Sequence, residues 1–143
     1  MSPKALRRLS TLQKRAMLHA PDAPRETLLA YAEQYLDDGY LYEAMEFFEN
    51  AREQSGLDRV RDAAVAEGDA TLLAWMARNA LADVTPEHWR TAGENALKAG
   101  KICYADAAFE RAGDSKRAAE LRDANTKANQ ADAQATEEVQ EST

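Results

Sequence analysis

A single cysteine, Cys103, leaves this chain of 143 residues unable to form an internal disulfide. With only His19 and His88 beside it, no zinc-ligand spacing exists either. The six glycines are dispersed, so there is no glycine-rich phosphate loop. No apolar run approaches the roughly 20 residues that a membrane span needs, and the first 20 residues lack the continuous apolar centre of a secretory signal. β-Branched aliphatic residues are scarce. One isoleucine and four valines stand against 30 alanines, a balance that favours helices over strands. Leu, Ile, Val and Phe together number 22, which predicts a thin, closely packed core. Neither histidine lies near a serine or cysteine in a nucleophile–base pattern, so no catalytic residue is assigned. The expectation is an all-α, soluble, cytoplasmic, non-enzymatic protein without metal or cofactor.

Charge is unevenly spread. Residues 1–20 hold five basic side chains and no acidic one, whereas the rest holds 13 basic and 25 acidic groups. Such asymmetry suits two regions with different partners, or regions that are each other's partner. Ser2-Pro3 is a helix start, with serine as cap and proline in the first turn. From Lys4 to His19, Leu6, Leu9, Leu12 and Ala16 line one stripe, with Arg7, Arg8, Lys14 and Arg15 largely off it. Two prolines in Ala20-Pro21-Asp22-Ala23-Pro24 then stop that helix. The organisation predicted is a basic amphipathic helix over 1–20, a helical domain over 21–124 and a disordered acidic tail over 125–143. In the tail Val139 is the only large aliphatic residue.

Gly39, Gly68 and Gly100 each follow one helical run and precede another, the position of a left-handed C-terminal cap. A recurrence of this length calls for a repeat alignment. Superposing the glycines makes Leu28 fall with Trp89, Ala32 with Gly93, Leu41 with Ile102, Ala44 with Ala105, Phe48 with Phe109 and Ala51 with Ala112. Gln54 to Ala80 gives a poorer copy, in which Leu57, Gly68, Ala77 and Ala80 fit and Arg61 stands where a small residue is wanted. Three helical hairpins are predicted, at about 25–54, 57–82 and 86–112, with a closing helix from Asp114 to near Ala124.

These residues resemble the tetratricopeptide repeat, W-x2-L-G-x2-Y followed by A-x3-F. Residues 25–51 supply Leu28, Tyr31, Ala32, Tyr35 and Gly39, then Ala44-x3-Phe48. Residues 86–112 supply Trp89, Ala92, Gly93, Ala96 and Gly100, then Ala105-x3-Phe109. The repeats are shorter than 34 residues and lack the family's closing prolines. The resemblance implies a right-handed TPR-like α-solenoid of about three hairpins, with an N-terminal amphipathic helix and a C-terminal closing helix. It implies a scaffold or adaptor that holds a partner on a concave face lined by the first helix of each hairpin. Carried over, that face holds Leu29, Glu33, Leu36 and Asp37, then Asp58, Asp62 and Val65, then Arg90, Glu94, Leu97 and Lys98. Its carboxylates favour a basic or amphipathic helix or peptide, by steering and selecting more than by affinity.

Lys4, Arg7, Arg8, Lys14 and Arg15 form a second candidate contact. Capping of the repeat stack by Leu6, Leu9 and Leu12, or docking of residues 3–19 on the chain itself, ranks above a membrane, nucleic-acid or targeting role. Five cations and three leucines bind membranes weakly. Exposed apolar ends of a short stack would also permit a homo-oligomer. Among the aromatics, Tyr31, Tyr35 and Phe48 are expected to pack, Tyr40 and Tyr42 to be partly exposed, and Trp75 and Trp89 to pack between hairpins. Cys103 is expected to be a small buried or half-buried residue.

Overall fold

The computed structural model describes residues 6 and 8–141, and every regular element among them is a helix. In order these are α1 (Thr11–His19), α2 (Arg25–Asp37), α3 (Leu41–Asn50), α4 (Gln54–Glu67), α5 (Ala70–Arg78), α6 (Pro86–Lys98), α7 (Ile102–Arg111) and α8 (Ser115–Glu141). The described residues of Met1–Ala64 and Leu72–Val84 form one compact unit, and those of Val65–Thr71 and Thr85–Thr143 a second.

In the first unit α2 packs on α3 across a three-residue turn, and α1 touches α3. Gly39 turns the chain with φ +81°, its N–H donating to Leu36 O at 3.1 Å and that of Tyr40 to Tyr35 O at 2.9 Å. Such paired bonds satisfy carbonyls that the end of a helix leaves orphaned. α3 is amphipathic, and Leu41, Ala44, Met45, Phe47 and Phe48 are all buried. The Phe47 ring stacks on Tyr31 and Tyr35, at centroid distances of 5.7 and 5.5 Å. Phe48 lies so close to Gly56 that a Cβ there would sit 2.1 Å from the ring, which fixes glycine in the first turn of α4. Leu57, Val60, Ala64, Leu72, Leu73 and Met76 complete this core.

The second unit repeats the turn geometry. Gly100 (φ +74°) donates to Leu97 O at 3.1 Å and Lys101 N–H to Ala96 O at 2.8 Å. α6 packs on α7, and α7 on α8. Ala96, Ala105, Phe109 and Ala118 make the buried cluster, with Leu97 and Leu121 against its rim. Thr85 caps α6 reciprocally with His88: the Thr85 hydroxyl accepts from His88 N–H at 3.2 Å, and Thr85 N–H donates to His88 Nδ1 at 3.0 Å. His88 therefore serves as a helix cap. The turn between α4 and α5 also belongs here. Asn95 Nδ2 donates to Val65 O at 2.9 Å, and a Cβ on Gly68 would meet Ala96 N at 2.4 Å.

Several expectations are corrected. The N-terminal helix starts at Thr11 and not near Lys4, because Ser10 and Gln13 form a capping box that supplies an N-terminus there. Residues 6 and 8–10 are not helical, and Ser2, Pro3, Lys4 and Arg7 lie outside the described residues. Of the stripe through Leu6, Leu9, Leu12 and Ala16 only Leu9 is half-buried: Leu12 is 76% exposed, and within α1 the half-buried residues are Lys14, Met17 and Leu18. α4 begins at Gln54 where 57 was expected. The middle copy is displaced by one residue. Positive φ falls at Arg52, Ala80 and Gly113, so Met76, fully buried, occupies the place of Phe48 and Phe109, while Ala77 is exposed. Trp75, one residue earlier and about 100° round the helix, is 45% exposed under the Arg78 guanidinium, 5.4 Å from the ring centre. Cys103 is exposed too. The closing helix does not end near Ala124. Ala, Gln, Glu and Lys sustain it to Glu141, and every described side chain from 126 onward is exposed.

Candidate functional site

In the first unit the residues expected on the recognition face lie on α2 and α4. Leu29, Glu33, Leu36 and Asp37 are spaced i, i+4, i+7 and i+8 and so share one face of α2. The first three are half-buried and Asp37 is exposed. Arg59 of α4 reaches this face. Its two terminal nitrogens meet the two oxygens of Glu33 at 2.6 and 3.0 Å. The hydrogen bond to Glu33 raises the Arg59 pKa, and the Asp37 charge adds to that. Both partners are about half exposed, so solvent screens the pair and its net contribution is about 0–1 kcal/mol.

Asp58 and Asp62 are likewise engaged. Arg61 Nη1 lies 3.6 Å from Asp58, Arg61 Nε donates to Asp62 at 3.0 Å, and Nη1 also donates to Asp83 O at 3.1 Å. Gln54 Nε2 bonds Asp58 at 3.0 Å and Leu81 O at 2.9 Å. The misfit residue of the repeat alignment thus ties α4 to the segment that follows α5. Three carboxylates of the expected acidic face, Glu33, Asp58 and Asp62, are thus paired with arginines of α4, and Asp37 is left without an ion pair among the described residues.

On α6, Arg90, Glu94 and Lys98 are exposed, and Glu94 stands 3.7 Å from Arg117. Leu97 turns toward the buried cluster, and Val65 is buried in the second unit, so neither is a surface contact.

Two of the basic N-terminal residues have partners on α3 and in the turn that precedes it. Arg8 stacks over the Tyr40 ring, 4.7 Å from its centre, and hydrogen-bonds its hydroxyl. Lys14 Nζ sits 2.9 Å from Glu46. A cleft of about 200 Å³ lies beside them, lined by Arg8, Lys14, Tyr35, Tyr40 and Glu43. Desolvation raises the Tyr35 pKa there, with Lys14 opposing. Arg15 is exposed. Lys4 and Arg7 fall outside the described residues.

Elsewhere, ion pairs fasten helix ends. Glu53 is held below its ordinary 4.5 by the Ser55 hydroxyl and by Arg25, and Glu110 by the Ser115 hydroxyl and Arg122. Among the described residues no His, Cys, Asp or Glu group is placed to hold a metal, and no helix is long and apolar enough to cross a membrane.

The Arg59–Glu33 bridge was missed by sequence reasoning. The only available signal was the opposite charges on two predicted helices, 26 residues apart. No family model, curated protein or solved structure matches the chain.

Proposed function

We propose that this chain is a non-enzymatic protein-interaction module, a TPR-like α-solenoid of three helical hairpins that works as an adaptor or scaffold. The observation that carries the reading is the recurrence of one backbone frame. Gly39 and Gly100, and Arg52 and Gly113, are each 61 positions apart and each pair shares its turn conformation. In repeats of this kind the first helix of a hairpin meets the partner. The recognition surface is then the α2–α4 face, where Leu29 and Leu36 flank Glu33 and Asp37 lies alongside.

The partner is a basic amphipathic helix. Its apolar side chains cover Leu29 and Leu36, and its cation meets Asp37 and competes with Arg59 for Glu33. Because Glu33 already has an arginine, electrostatics selects the partner and apolar burial supplies most of the affinity. The test is titration of the full chain with a synthetic amphipathic Leu/Lys helix. Substituting Glu33→Gln with Asp37→Asn is preferable to charge reversal, which would set a new cation against Arg59. The double variant is expected to weaken binding about tenfold, or about 1.4 kcal/mol. Unchanged binding would overturn the assignment of this face.

A further inference from the structure

Beyond the α2–α4 face, we propose that the outer side of α1 is a second docking surface, for a partner helix that is both acidic and apolar. α1 is fixed by its inner side, through Lys14 on Glu46 and the half-buried Met17 and Leu18. That orientation leaves Leu12, Arg15, Ala16 and His19 exposed on the outer side at i, i+3, i+4 and i+7, the spacing of a single helix face. Leu12, at 76% exposure, gains nothing from the fold. Alongside runs a cleft of about 570 Å³ whose wall is mainly apolar, built by Leu9, Ala16, Met17, Ala20, Ala23 and Pro24, with Asp22 as its one charged residue. It has room for several side chains, and Pro24, which caps α2 without a side-chain bond, keeps its floor free of a donor N–H.

Charge decides what fits. Residues 1–20 carry no acidic side chain. Lys14 is committed to Glu46 and Arg8 to Tyr40, whereas Arg15 makes no ion pair or hydrogen bond among the described residues. A partner carboxylate over Arg15, with leucine-type side chains over Leu12 and in the cleft, satisfies both groups. Asp22 rejects a ligand that is acidic throughout, so the acidic and apolar residues must fall on separate stripes of the partner. An anionic membrane fits worse: Asp22 stands in the cleft, and among the described residues of α1 one unpaired lysine or arginine, Arg15, beside one exposed leucine, Leu12, holds a bilayer weakly.

The experiment uses the full chain and three probes: a synthetic amphipathic Leu/Glu helix, its Leu/Lys counterpart, and phosphatidylserine-containing vesicles. The Leu/Glu helix is expected to bind, with Arg15→Glu and Leu12→Asp each weakening it about tenfold. Both side chains are exposed, so neither substitution should disturb folding, and circular dichroism checks this. Glu33→Gln with Asp37→Asn is expected to leave this binding unchanged, which separates the two surfaces. Absence of Leu/Glu binding, indifference of that binding to Arg15→Glu and Leu12→Asp, its loss in Glu33→Gln with Asp37→Asn, or binding of vesicles alone would each overturn the proposal.

Discussion

Tyr31, Tyr35 and Phe47 of the α2–α3 pair stand, 61 positions earlier, where Ala92, Ala96 and Ala108 stand in α6–α7. Three stacked rings fill the first interior from within. Three fully buried alanines leave the second interior to be filled by neighbours: Gly68 of the α4–α5 turn comes down onto Ala96, and Ala118 and Leu121 of α8 close on Phe109. Yet turn dihedrals, the C-terminal caps of the first helices and the buried Phe48/Phe109 position are common to both. Each of these two helix pairs is specified by its turns and one large anchor, and its remaining volume is divided according to what packs beside it.

The comparison breaks first at the aromatic trio. Phe47→Ala removes the ring on which two tyrosines stack and is expected to lower stability by about 3–5 kcal/mol, measured by urea unfolding of the full chain. The reciprocal Ala108→Phe, which copies the first pair into the second, should overpack and lose about 1–3 kcal/mol. A neutral Ala108→Phe would mean that the alanines are not filled by their neighbours. Next in size, Gly68→Ala should lose about 2–4 kcal/mol, because it combines a left-handed backbone with a collision against Ala96.

Arg52 holds the left-handed position (φ +54°) that glycine fills at 113. Arg52→Gly is therefore expected to stabilise by about 0.5–1 kcal/mol, a small rise in Tm, whereas Gly113→Arg should destabilise. The smallest effect is electrostatic. Glu53 and Glu110 are held below their ordinary 4.5 in the folded chain, so their contribution is complete above that pH and is lost as pH falls through the lowered folded values. Acid unfolding curves of Glu53→Gln and Glu110→Gln should be flatter there than that of the parent chain.

The frame was legible because its signals are local. A glycine that must take positive φ, an alanine where two helices approach and a phenylalanine four residues on are read directly from spacing. The middle copy misled because α5 is one residue shorter than α3, and glycine alignment alone put Ala77 where Met76 belongs. Leu12 looked like a capping residue because the apolar stripe was drawn through a helix start that the Ser10–Gln13 box moves to Thr11. The acidic face was overestimated for a different reason. Which carboxylates are neutralised depends on which helices lie side by side, and Glu33–Arg59 joins α2 to α4. The length of α8 was underestimated because poverty in large apolar residues was weighed above the helix propensity of Ala, Gln, Glu and Lys.

The most direct test of the central claim is amide chemical-shift mapping of the full chain with the Leu/Lys helix. The account predicts saturable shifts at Leu29, Glu33, Leu36 and Asp37 of α2 and at Asp58, Arg59 and Asp62 of α4, with α1 unmoved. Shifts confined to α1, or none at saturating peptide, would contradict it.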